Sequence, residues 1–68
     1  MGKRDGWKRC DHGYDLIRDG EVVGTVYRAS VGLWCWESFV APDSGYTQCL
    51  REAKAALVKS VSETLDKD

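Results

Sequence analysis

The chain has 68 residues, with ten Lys and Arg against eleven Asp and Glu, a formal net charge of -1 and 43% hydrophobic residues. That length holds one small domain. The composition is that of a globular protein rather than a disordered one, no apolar run approaches the ~18 residues of a membrane span, and near-neutrality argues against a protein that coats nucleic acid by charge while leaving room for a local basic patch.

Residues 1–12 show no periodicity and read as an N-terminal basic arm, with Lys3, Arg4, Lys8 and Arg9 against Asp5 and Asp11, and Trp7 as its large apolar anchor. Residues 13–68 read as a single domain. Tyr14 to Arg18 and Glu21 to Arg28 are β-prone runs joined by Asp19-Gly20, a dipeptide suited to the positive φ angles of a type I′ hairpin turn. A two-residue loop sets the register, pairing Arg18 with Glu21, Ile17 with Val22, Leu16 with Val23 and Tyr14 with Thr25. Leu33 to Val40 is a third run, rich in aromatic and branched residues. A turn tip at residues 30 and 31 sets Tyr27 opposite Trp34, Thr25 opposite Trp36, Val26 opposite Cys35 and Val22 opposite Phe39. Ala41-Pro42-Asp43-Ser44-Gly45 holds the single proline and is the strongest breaker cluster, so the sheet is expected to end there. Apolar residues at Leu50, Ala53, Leu57 and Val61 recur in steps of three and four, which predicts an amphipathic helix from about Thr47 to Leu65 with Thr47 as candidate N-cap. The expected fold class is α+β: a three-stranded antiparallel sheet, in the order β-β-β-α, with the C-terminal helix packed on one face.

Side chains alternate across a sheet, so these registers sort the strands into two faces. One carries Ile17, Val22, Val26, Cys35 and Phe39. The other carries Tyr14, Leu16, Val23, Thr25, Tyr27, Trp34 and Trp36, with Arg18 and Glu21 at the hairpin end. One helix about 10 Å thick covers one face of a narrow sheet and no more. The aliphatic face matches the Leu50, Leu57 and Val61 stripe in size, which leaves the aromatic face outward as a docking surface unless Trp7 folds over it, a second copy covers it, or a shifted register makes the tryptophans core. Its expected binding residues are Tyr14, Arg18, Tyr27, Arg28, Trp34 and Trp36.

Little in the chain points to catalysis or metal chemistry. His12 is the single histidine, and its neighbour Cys10 makes a CxH spacing that lacks the four-ligand pattern of zinc. The cysteines Cys10, Cys35 and Cys49 form no CxxC pair and follow nothing that reads as a signal peptide, so free thiols and a cytoplasmic location are expected. No enzyme activity, cofactor, metal or small-molecule substrate is expected.

The Arg-Asp-Gly-Glu hairpin, the Gly-Leu-Trp-Cys-Trp strand and the Gly-Tyr-Thr-Gln-Cys-Leu-Arg-Glu-Ala-Lys helix start resemble small accessory proteins of phages and prophages over about residues 14–61. The architecture is also similar to the three-stranded DNA-binding domains of AP2-type factors and of phage integrase N-termini. That resemblance implies an open sheet face in the major groove, read out through Arg18, Tyr27, Arg28, Trp34 and Trp36. Here only Arg18 falls on that face, with Arg28 near its edge, beside Glu21 and Glu37. The expected function is therefore a non-catalytic phage or prophage accessory module, an inhibitor or regulator of a host system that docks on a protein partner or on itself. The alternative is a DNA-binding protein that uses the open face and the basic arm.

Overall fold

The computed structural model describes residues 6–65. Five strands, β1 (Gly6–Cys10), β2 (Gly13–Arg18), β3 (Glu21–Ser30), β4 (Leu33–Ser38) and β5 (Asp43–Thr47), precede one helix, α1 (Leu50–Leu65). The strands pair antiparallel in chain order. The α+β class and the C-terminal helix agree with expectation, but the sheet has five strands and not three.

Both additional strands lie where the sequence reads as irregular. Within the segment expected to be a loose arm, Gly6–Cys10 pairs along its whole length with Gly13–Ile17. Lys3 and Arg4 lie outside the described residues. At the other edge, the breaker cluster contains the start of β5. Pro42 stands just ahead of the strand, where its missing N–H costs no ladder bond. Gly45 is inside it, and the Trp36 ring lies across the glycine so closely that a Cβ there would sit 2.8 Å from Trp36 Nε1. An aromatic ring over an edge-strand glycine supplies the packing that the residue itself lacks.

Asp19 (φ 55°) and Gly20 (φ 81°) form the expected β2–β3 turn, and Arg18–Glu21 and Ile17–Val22 pair as read from the sequence. Beyond that point Val23 is an extra residue in a β-bulge, so Leu16 faces Gly24 and Tyr14 faces Val26. The β3–β4 turn is also displaced. Its tip is Val31-Gly32, with Gly32 at φ 73°, and a second irregularity between Arg28 and Ser30 brings Val26 opposite Trp36, Tyr27 opposite Cys35 and Arg28 opposite Trp34. A one-residue slip moves a strand's whole side-chain set to the other face. The two shifts move Thr25 and Tyr27 off the face of Trp34 and Trp36 and bring Val26 onto it, and it is this aromatic face, with Tyr14, Leu16 and Val23, that the helix covers.

Helix α1 lies over β3, β4 and β5. Ala53, Leu57 and Val61 are fully buried on it and pack with Leu16, Val23 and Val26 of the sheet, while Trp7, Trp34, Trp36, Val40, Leu50 and Val58 are partly buried around this centre. The close approach depends on Gly24. A Cβ at that position would lie 2.6 Å from a Leu57 methyl and 2.9 Å from the Glu37 carbonyl oxygen. The helix start falls slightly after the sequence estimate: the Cys49 carbonyl accepts the N–H of Ala53 at 3.1 Å, so Cys49 occupies the cap position. Thr47 ends β5, and its hydroxyl donates to the Cys49 carbonyl at 2.8 Å instead of capping a helix N–H. Two side-chain bonds clamp the far end of the helix, Ser60 Oγ to Asp43 Oδ2 at 2.9 Å and the Arg18 guanidinium to Ser62 Oγ at 3.1 Å.

Candidate functional site

Five of the six residues expected to form one docking surface lie on the side of the sheet that α1 occupies. Trp34 and Trp36 sit on the helix-bearing face and flank the core. Tyr14 is on the same face, where the Lys54 ammonium of α1 lies 4.1 Å from its ring centroid and 5.0 Å from that of Trp7. These cation–π contacts hold the two rings against the side of the helix. Arg18 is engaged with Ser62. Arg28 is exposed and paired with Trp34, and Tyr27 points to the opposite face beside Cys35. Tyr27 alone is therefore on the open face, and the other five flank or contact α1 instead of forming an uncovered surface. Lys8 and Arg9 are fixed in β1 on opposite sides of the sheet, so they do not form a basic arm.

The uncovered face consists of three cross-strand bands. At one end are Cys10, Gly13, Tyr27, Cys35 and Tyr46. The middle band is Lys8, Asp15, Thr25, Glu37 and Ser44. At the other end Ile17 pairs with Val22, and Phe39 adjoins them through its N–H bond to the Val23 carbonyl at 2.9 Å. Tyr46 is 67% exposed, Phe39 55% and Val22 44%. Ile17, Val22 and Phe39 were expected beneath the helix and Trp34 and Trp36 above the sheet; the two sets have exchanged places. The Tyr27 phenol is pushed up to about 12, first because Cys35 holds its hydrogen bond, then through the charge of that thiol and through desolvation.

At one corner of this face the β1–β2 hairpin gathers Cys10, His12 and Asp15, whose donor atoms all lie within 4.8 Å of one another. Cys10 and Asp15 are diagonal neighbours on the open face, and His12 reaches in from the two-residue turn, placing Nε2 3.8 Å from the Cys10 sulfur. Gly13 lets this hairpin lie flat on β3, since a Cβ there would collide with the backbone of Val26 and Tyr27. Thr25 on β3 donates its hydroxyl to Asp15 Oδ1 at 2.9 Å and so orients the carboxylate. The Cys10 thiol is pushed above its ordinary range by desolvation and by the adjacent Asp15 carboxylate. A nucleophilic cysteine needs the reverse, a cationic neighbour that favours thiolate. Asp15 is the member that sequence reasoning missed. The available signal was its place two positions after Gly13, which puts it on the same face as Cys10.

Between α1 and β5 there is also a shallow cleft of about 250 Å³ lined by Trp36, Asp43, Lys59, Ser60 and Glu63. Its Asp43 carboxylate is occupied by Ser60. Among the described residues, no helix is long and apolar enough to cross a membrane. No protein-family model, curated protein or solved structure matches the chain. None of these comparisons bears on the phage or AP2-type resemblance, whose three-stranded platform the five-stranded sheet does not reproduce.

Proposed function

We propose that the protein is a non-catalytic protein-binding module that docks through the sheet face opposite α1. The observation that supports this reading is the banded open face: exposed apolar and aromatic residues at both ends and two carboxylates, Asp15 and Glu37, in the middle band with Lys8 at its rim. Apolar or aromatic anchors beside a polar region are the usual composition of an interface. The carboxylates favour a partner that offers a basic residue between apolar ones, and they disfavour a phosphate backbone, which would be repelled. They also disfavour self-association. A second copy laid face to face about either in-plane two-fold axis through the centre of the sheet brings Asp15 and Glu37 against carboxylates.

The test is site-specific photo-crosslinking in cells that express the protein, with a crosslinking amino acid in place of Phe39, Tyr46 or, as control, the exposed helix residue Glu52. Discrete adducts to a second protein are expected from positions 39 and 46 and not from 52, and these should disappear when Glu37→Lys is added. Adducts from 52 alone, adducts only to a second copy of the chain, or salt-sensitive binding to duplex DNA that survives Phe39→Ser would each overturn the proposal.

A further inference from the structure

We propose that Cys10, His12 and Asp15 form a binding site for a zinc-type divalent transition-metal ion at the tip of the β1–β2 hairpin. Three donors of the types that zinc takes, a sulfur, an imidazole nitrogen and a carboxylate oxygen, converge within 4.8 Å of one another from a segment of six residues. The Cys10 sulfur and His12 Nε2 are 3.8 Å apart. Two ligands at ordinary zinc bond lengths and a tetrahedral angle are separated by about 3.6 Å, so only a small adjustment is required.

The surroundings fit an ion better than a chance meeting of side chains. The Thr25 hydroxyl bond to Asp15 Oδ1 supplies from β3 the kind of outer support that orients metal-bound carboxylates. The Cys10 sulfur and the Asp15 carboxylate are diagonal neighbours on one face of the hairpin, so a single ion can meet both. A thiolate with an imidazole selects first-row metals such as zinc over magnesium or calcium, which prefer oxygen alone. With three protein donors, the fourth position is left for water or for a donor from a docked partner, since the site lies at the corner of the open face. The proposal does not depend on the docking reading, because it concerns the isolated chain.

The experiment is titration of the full reduced chain with Co²⁺, followed by displacement with Zn²⁺ in competition with a chromophoric chelator. A tetrahedral visible spectrum with a thiolate charge-transfer band is expected, unchanged by excess Mg²⁺ and bleached by Zn²⁺. Cys10→Ser and His12→Ala should each abolish the band, and Thr25→Val should weaken binding by about 10–100-fold through loss of the carboxylate's support. Cys49→Ser, on an exposed thiol outside the cluster, should leave the spectrum intact. Circular dichroism of each variant separates loss of the site from loss of the fold, and His12, exposed in the turn, is the substitution least able to disturb folding. A band that persists in His12→Ala, a band that disappears in Cys49→Ser, or a weak octahedral spectrum in the unaltered chain would overturn the assignment.

Discussion

The two faces of this sheet are built from alternate residues of the same five strands, yet they do opposite work. The helix-bearing face is closed by a small stripe, Ala53, Leu57 and Val61, that descends onto Gly24 in the middle, while Trp7, Trp34 and Trp36 fill the wider gaps on either side. The far face has comparable apolar groups in Ile17, Val22, Phe39 and Tyr46, but no element of the described chain covers them. The contrast shows that matching small aliphatic residues to the helix stripe did not decide which side faces outward. A thin helix seated over a glycine leaves flanking space that only large rings fill, so the tryptophans belong beneath it and the aliphatic residues remain on the outside.

The largest effect should come from Leu57→Asp. It places a charge at a fully buried position in a domain of a size that typically has about 3–5 kcal/mol of net stability, so circular dichroism should show an unfolded chain at room temperature. A cooperative melt close to that of the parent would mean that the helix does not seat on Gly24. A sharper comparison sets one ring from each face side by side. Trp36→Ala should cost about 2–4 kcal/mol in urea unfolding, because the ring packs on the core and covers Gly45, whereas Phe39→Ser should stay within about 0.5 kcal/mol. A larger loss from Phe39→Ser than from Trp36→Ala would mean that the faces are assigned the wrong way round, and equal losses that both are covered.

The smallest effect concerns the Tyr27 phenol on the open face. Its ionisation is raised from 10.0 to about 12 in the folded chain, so the folded state keeps this proton longer than the unfolded state does. Stability from this group is complete below pH 10 and declines as pH rises through about 12. Tyr27→Phe should therefore flatten the alkaline fall in urea midpoint, and ultraviolet titration should lose its latest phenolate step. An unchanged alkaline profile would show that the bond to Cys35 does not form in solution.

Local signals were reliable where one segment carried the whole message. Asp19-Gly20 announced its turn, the spacing of Leu50, Ala53, Leu57 and Val61 announced the helix, and Arg18–Glu21 and Ile17–Val22 followed from the loop length. The edge strands were hidden because turn-type residues interrupt them, so the strand-prone Trp7, Tyr46 and Thr47 never form a continuous run. Asp43, Ser44 and Gly45 are held by pairing to β4 and by the Trp36 ring, and Gly6–Cys10 is held by β2. The docking residues were misplaced for two other reasons: bulges at Val23 and near Ala29 add a residue on one strand only and carry Tyr27 to the opposite face, and the helix seats over Gly24 on the face of Tyr14, Trp34 and Trp36; no composition or period reveals either. The metal-type cluster was half visible as Cys10 and His12, and its third member emerged once the hairpin placed Asp15 diagonally across from Cys10.

The amino-acid order by itself determined an α+β chain with a β-hairpin around Asp19-Gly20 and a C-terminal amphipathic helix, because turn chemistry and helical periodicity act over a few residues. Only the tertiary structure decided the number of strands, which face the tryptophans occupy and which groups meet at the β1–β2 tip. Those outcomes depend on where bulges shift the register and on how closely a helix approaches a sheet, and both are set by contacts between segments distant along the chain.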